Sequence, residues 1–267
     1  MHNLSIAAMF RNENSWLEEW IRYHQTVGVE HFYLFNDDPD PRVSDKILEP
    51  YLKQGLIENI HVSELTDLDT LSGNDRVKRI YGIMFEVATG KTTWLAMTDL
   101  DEFILPKKQD DLREFLAGYE EHCGLAMNWQ IFGTSGYVKR PPTQTCHLLH
   151  RVETHWQPNR FFKSIVKPDL VIQEMIYDSH HFPCTTGRTV NENHEPVAGV
   201  THDISTEIIQ LNHYILRSWQ DFWEVKATRP RHNGAAPCDD QYFEFHDRNE
   251  VFDDEIKKRF GHIFQNS

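Results

Sequence analysis

Trp94-Leu95-Ala96-Met97-Thr98-Asp99-Leu100-Asp101-Glu102-Phe103 is an apolar run that ends in three carboxylates within four positions. In a β-strand, successive side chains alternate between faces. Asp99 and Asp101 then project to one side, and Leu100 turns into the core. Two carboxylates this close repel each other unless a cation stands between them. Hard oxygen ligands suit Mg²⁺ or Mn²⁺, and Mg²⁺ is usually held by one or two carboxylates together with substrate phosphates. A pair of this kind at the end of a buried strand suits a metal–diphosphate. In a surface turn the same pattern means nothing, but the apolar residues on both sides, including Ile104 and Leu105, argue against a mere turn.

Upstream, the chain alternates strand and helix. Leu4–Phe10 reads as a buried strand, and Ser15 with Glu18 as a capping box. Trp16, Leu17, Trp20, Ile21 and His24 follow at helical spacing, with Gly28 just past the helix end. His31–Phe35 is a second strand, closed by Asn36-Asp37-Asp38-Pro39. A helix around Lys46–Gln54 stops at Gly55, and Ile57–Val62 is a third strand. Val77, Ile80, Tyr81, Met84 and Phe85 form a helical stripe that leads into the acidic strand. This alternation predicts an α/β fold with a doubly wound, mostly parallel sheet flanked by helices. Ligands of such sheets bind outside the carboxyl ends of the strands. Three predicted strand ends carry polar clusters: Arg11-Asn12-Glu13, Asn36-Asp37-Asp38 and Asp99-Leu100-Asp101.

The second half is less regular. Gly124–Phe132 reads as a strand that enters a glycine-rich turn, Gly133-Thr134-Ser135-Gly136. Phe161–Val166 and Ile208–Tyr214 read as further strands. Ser218 opens a helix through a capping box with Asp221, and the tail is helical again over Asp254–Phe264. The expected organisation is a single unit over residues 1–267, with a nucleotide-binding half (1–105), an acceptor half (106–217) and a helical C-terminal tail (218–267).

Composition narrows the partners. The chain has 267 residues, 39% of them hydrophobic, which suffices for one large core. A net charge of −14 excludes nucleic acid as a partner, because that affinity depends on Lys and Arg neutralising phosphates. Cys123, Cys146, Cys184 and Cys238 are far apart, with no Cys-x-x-Cys pair, and read as free thiols of a reducing compartment. No apolar run approaches the ~18 residues of a membrane span, and the first residues do not resemble a signal peptide. The expected location is cytoplasmic, with contact to the inner face of a membrane left open.

The chain resembles glycosyltransferase family 92 and related bacterial family 2-like transferases. The matching pieces are Arg11-Asn12-Glu13, Trp16 through His24 with Gly28, Trp94 through Phe103, Asn128-Trp129 with Phe132-Gly133, Lys163–Val166, and Asn212-His213-Tyr214 with Ser218 and Lys226. The resemblance implies a GT-A type fold and transfer of a sugar from a nucleotide donor, a UDP-sugar by preference, to a carbohydrate or other hydroxyl acceptor. It also implies a divalent metal, Mn²⁺ or Mg²⁺.

On that basis Asp101 is the first metal ligand, Asp99 the second or a ribose partner, and His213 a third. Arg11, Asn12, Glu13 and Asp37 border the nucleotide. Lys163, Lys226 and Arg229 face the diphosphate. Inverting transfer needs a base for the acceptor hydroxyl, and the sequence offers Glu102, Asp178, Asp239 and Asp240 without choosing among them. Trp129 is a stacking platform for the acceptor, with Gly133 beside it. His180-His181 reads as a polar loop, since adjacent side chains do not easily share one ion. Two alternatives stand: a carbohydrate-binding relative without turnover, and a nucleotidyltransferase. The latter normally has a glycine-rich phosphate loop after the first strand, which Phe10-Arg11-Asn12-Glu13-Asn14 lacks.

Overall fold

A computed structural model describes residues 1–68, 70–229 and 236–264. In chain order the elements are β1 (His2–Phe10), α1 (Leu17–Thr26), β2 (His31–Asn36), α2 (Arg42–Lys53), β3 (Ile57–His61), α3 (Gly73–Ala88), β4 (Thr92–Met97), β5 (Glu102–Pro106), α4 (Leu112–Leu116), β6 (Gly124–Ile131), α5 (Gln144–His147), β7 (His150–Arg151), β8 (Phe162–Val166), β9 (Thr189–Val190), β10 (Ile209–His213), α6 (Trp219–Glu224), α7 (Asp240–His246), β11 (Val251–Phe252) and α8 (Glu255–Phe260). The main sheet runs β3-β2-β1-β4-β8-β6-β10-β5, with β9 beside β6. Its first four strands are parallel, as the strand–helix alternation predicts. Beyond β4 the sheet is mixed, because β8 pairs antiparallel with both β4 and β6, and β10 pairs antiparallel with β5.

Strand alternation divides the core. Leu4, Ile6, Ala8 and Phe10 of β1 pack with Leu17, Trp20 and Ile21 of α1, while Ala7 faces a second layer with Ile80, Met84 and Phe85 of α3. Helices thus cover both faces, which is why β1 and β2 read as continuous apolar runs. No helix among the described residues is long and apolar enough to cross a membrane.

Three local expectations are corrected. Ser15 does not cap α1: a 3₁₀ turn over Asn14–Trp16 leads into the helix, and the Ser15 hydroxyl accepts from Arg140 instead. Asp99 and Asp101 do not share a strand. β4 ends at Met97, and residues 99–102 form a turn closed by Glu102 N donating to Asp99 O at 3.0 Å. The Trp20 indole N–H reaches both carbonyls of that turn, at 3.1 and 3.0 Å. The cysteines are not all free, because Cys123 and Cys184 form a disulfide. This removes the cysteine argument for a reducing compartment. The capping box at Ser218 and Asp221 is formed as expected.

The disulfide closes a loop of 61 residues that holds the segment between β8 and β9 against β6. Reduction, or Cys184→Ser, is expected to lower unfolding free energy by about 2–4 kcal/mol, because a cross-link removes loop-closure entropy from the unfolded chain. Denaturant melts with and without reductant check this; superimposable curves would refute it.

Candidate functional site

The parallel strands β1, β2 and β4 end on one rim, where they border a cleft of about 910 Å³. Arg11 and Glu13 follow β1, Asp37 follows β2, and Asp99 and Asp101 follow β4. Trp129 of β6, Lys163 of β8, His213 of β10 and Lys226 close the other side. The sheet order explains the meeting. β8 inserts between β4 and β6, which brings Lys163 beside the acidic turn although 64 residues separate it from Asp99.

At the centre, Lys163 Nζ donates to Asp99 Oδ2 at 2.8 Å and lies 3.9 Å from Glu102 Oε2. Burial disfavours the charged lysine, but Asp99 and Glu102 hold its pKa well above the ordinary value. Asp101 Oδ2 lies 3.4 Å from Lys226 Nζ and 3.6 Å from His213 Nε2. Burial opposes ionisation of Asp101, but Lys226 and then His213 override it and hold the carboxyl well below the usual range. The His213 ring lies tilted against Trp129, with centroids 4.4 Å apart, and burial lowers its pKa while Asp101 opposes the fall.

An imidazole nitrogen 3.6 Å from a carboxylate oxygen is a geometry in which both groups can reach one divalent ion. Among the described residues no group of three or more His, Cys, Asp or Glu is arranged to hold a metal. Asp99, read from the sequence as a further ligand, is paired with Lys163 at 2.8 Å, while Asp101 and His213 face each other across the cleft.

At the outer rim, Asp37 is clamped between Arg11 Nη1 at 3.1 Å and Arg76 Nη2 at 3.0 Å. Glu13 is buried between Arg217 at 2.6 Å and Arg229 at 3.3 Å, and Arg229 also donates to Arg11 O. Asn12 is exposed with φ of 59° and does not line the cleft; its N–H bonds Asp38.

The four base candidates do not present a carboxylate to the cleft. Glu102 is fully buried beneath the acidic turn, where Oε1 accepts from Trp129 Nε1 at 2.8 Å and Oε2 from Asp99 N at 2.8 Å. Asp178 caps its own turn, accepting from His180 N and His181 N. Asp239 caps α7 through Tyr242 N, and Asp240 lies exposed in its first turn. Gly133 is also away from the cleft. A Cβ there would meet Arg248 O at 2.4 Å and Asn249 Oδ1 at 2.6 Å, so its missing side chain admits the C-terminal segment and not a ligand. Trp129 does line the cleft, half-buried, with Phe161 and His180 around it.

Sequence reasoning missed Arg76, Arg217 and the role of His180. Arg76 lies in the first turn of α3, where a basic residue after a loop gives no distinctive pattern. Arg217 is buried with φ of 57°, stacks on Trp16 and donates to Gln144. Only its place next to the Ser218 cap hinted at it.

A family model described as glycosyltransferase family 92 matches residues 2–259. The chain is 26% identical over 234 residues to a family 92 protein of Ricinus communis, covering 84% of this chain and 37% of that protein. It is 24% identical over 243 residues to a family 92 protein of Oryza sativa subsp. japonica, covering 83% and 34%. The chain thus spans about a third of the length of these relatives. Among solved structures it is similar to S. aureus TarS 1–349, with a TM-score of 0.42, 14% identity, and 66% of this chain and 50% of that chain covered. It is also similar to mouse xyloside xylosyltransferase 1 in its apo form, with a TM-score of 0.33, 12% identity, and 63% and 68% covered.

Proposed function

Because the chain belongs to glycosyltransferase family 92, we propose that its cleft transfers a sugar from a nucleotide donor, a UDP-sugar by preference, to a carbohydrate hydroxyl, with inversion and with a divalent metal. The observation that carries this reading is the meeting of Asp101, His213, Lys226 and Lys163 in one cleft at the strand ends. Asp101 and His213 together with two ammonium groups, Lys163 buried and Lys226 half-buried, suit a metal-bound diphosphate better than a neutral sugar.

Asp101 and His213 would hold Mn²⁺ or Mg²⁺. The ion, when bound, supplies positive charge to the leaving diphosphate. Lys163 and Lys226 supply the same from the protein, as fixed cations where leaving-group charge develops. They are already oriented by Asp99 and Asp101, so little reorganisation is needed on binding. Arg229 adds charge at the outer side. Asp37, fixed by Arg11 and Arg76, is oriented to accept from the base or ribose. Glu13 holds Arg217 and Arg229 in place more than it could touch nucleotide. The acceptor then approaches from the other wall, where the half-buried face of Trp129 suits the C–H side of a pyranose.

Thermal shift with UDP-glucose, UDP-galactose, UDP-N-acetylglucosamine and GDP-mannose, each with and without Mn²⁺, tests the proposal. One UDP-sugar is expected to stabilise the chain by about 2.7 kcal/mol at a hundredfold excess over Kd, and only with metal. Absence of any nucleotide- and metal-dependent shift would sink the reading.

A further inference from the structure

His180 lies on the segment between β8 and β9, which the acidic turn does not account for. Asp178 caps the turn beneath it, Ser164 Oγ donates to His180 O at 2.6 Å, and the Cys123–Cys184 bridge ties the segment to β6. The imidazole Nδ1 is 2.7 Å from Phe162 O. A carbonyl only accepts, so Nδ1 carries the proton and Nε2 carries the lone pair. Trp129 meets the ring edge-on at 5.4 Å and Phe161 packs on it at 5.4 Å, which fixes its plane. The ring lines the cleft, and Nε2 has no partner among the described residues. Burial, and then Lys163, push its pKa down to about 4, so the ring is neutral at pH 7.

The carboxylates that line the cleft are all committed. Asp99 serves Lys163, Asp101 serves Lys226 and His213, Glu13 serves Arg217 and Arg229, and Asp37 serves Arg11 and Arg76. Protonating any of them would break an ion pair. Of the other imidazoles at the cleft, His213 faces Asp101 and His246 packs on Tyr242 at 4.0 Å.

We propose that His180 Nε2 takes the proton of the acceptor hydroxyl during transfer. This rests on the transferase reading above. As the O–H proton moves to Nε2, the hydroxyl oxygen bonds to the anomeric carbon of the donor. The bond from that carbon to the phosphate oxygen breaks, and its electron pair leaves with the nucleoside diphosphate. His180 ends as imidazolium, with Nδ1–H still on Phe162 O. Lys163 suppresses this charge in the unliganded cleft. A bound diphosphate beside Lys163 offsets that suppression, so the ring becomes a better base when donor is present. Trp129 touches the ring, so an acceptor sugar stacked on Trp129 would bring its hydroxyl to His180.

Two measurements test it. ¹⁵N NMR of the whole chain, assigned by comparison with His180→Asn, is expected to show His180 with Nε2 unprotonated at pH 7. A protonated Nε2 would overturn the proposal. Turnover is then followed as UDP release from UDP-sugar with Mn²⁺, with methyl glycosides or water as nucleophile. The Asn variant keeps an amide near Nδ1 for Phe162 O but has no Nε2. The Gln variant keeps a polar group near Nε2 that cannot take a proton. Both are expected to lose about 100-fold or more in turnover, with UDP–Mn²⁺ affinity within about twofold of the unaltered chain. A Gln variant that turns over like the unaltered chain would make His180 a positioning residue and refute the base role. Failure of the unaltered chain to bind UDP with Mn²⁺ would instead refute the transferase reading.

Discussion

Asp101→Ala is expected to weaken Mn²⁺-dependent UDP binding by on the order of 100-fold or more, with the fold intact. Loss of a group that only supports a metal ligand costs 10–100-fold in affinity, and Asp101 is proposed as a ligand itself. Its carboxylate is ionised at neutral pH because Lys226 and His213 face it, against the cost of burial. Removal leaves His213 as the one proposed ligand and leaves Lys226 Nζ, 3.4 Å from the lost oxygen, facing where the cation would sit. That ammonium repels the ion, and without the carboxylate nothing at this position offsets it. The backbone should not notice, since the Asp101 carbonyl still accepts from Tyr214 N at 2.8 Å and Leu100 remains buried. Asp101→Asn separates charge from shape: it keeps the volume and is expected to bind nearly as poorly as Ala. Titration calorimetry with UDP and Mn²⁺ on protein of unchanged circular dichroism is the measurement. An unaltered Kd for either variant would show that the metal does not sit at Asp101.

The parts of this site that were legible in the sequence are those carried by local periodicity. The continuous apolar runs of β1 and β2 and the apolar run before Asp99, separated by helical stripes, placed three polar clusters at three strand ends. The acidic cluster borders the cleft through Asp99 and Asp101, the second through Asp37 alone, and the first through Arg11 and Glu13 but not Asn12. The register of the acidic pair was read for the wrong reason. Strand alternation and a tight turn both bring Asp99 and Asp101 to one side when Leu100 is buried, so the pattern alone did not separate them. What decides it is the Trp20 indole, 79 residues away in sequence from Asp99. Long-range pairing also hid the second half. β8 lies between β4 and β6, and nothing near Phe162–Val166 announces those neighbours. Cys123 and Cys184 are 61 residues apart, and spacing carries no information about pairing there. Gly133 shows the opposite case. The absence of a Cβ marks a close approach, but the approaching groups are the Arg248 carbonyl and the Asn249 side chain, not a ligand.

Glu102→Ala is expected to cost about 3 kcal/mol of stability, which for a chain of this size lowers Tm by roughly 6–12 °C. This follows from where the carboxylate sits. It is fully buried, and its two oxygens accept from the Trp129 indole N–H and the Asp99 backbone N–H, each at 2.8 Å. Truncation leaves two donors in the interior without acceptors and takes one of two carboxylates from Lys163. Leaving a buried donor unmade costs about 1–3 kcal/mol each, while water entering the new space repays part of it. Glu102→Gln recovers only part of the loss, because one amide oxygen replaces two acceptors and the NH₂ turns against the remaining donor. Burial raises the Glu102 pKa well above its ordinary value, with Asp99 and Asp101 adding to the rise and Lys163 opposing it. For an acid the sign is then fixed: the folded state binds this proton more tightly than the unfolded state. The group therefore penalises folding as pH rises from the unfolded carboxyl value toward the folded one. Removing it should flatten that portion of the pH–stability curve while lowering the whole. A catalytic base in the same place would behave otherwise, with turnover lost and Tm unmoved. Calorimetric melts of the Ala and Gln variants between pH 5 and 8 decide between the two. An unchanged Tm in Glu102→Ala would return Glu102 to the list of candidate bases and remove it from the scaffold that holds Trp129 and the acidic turn.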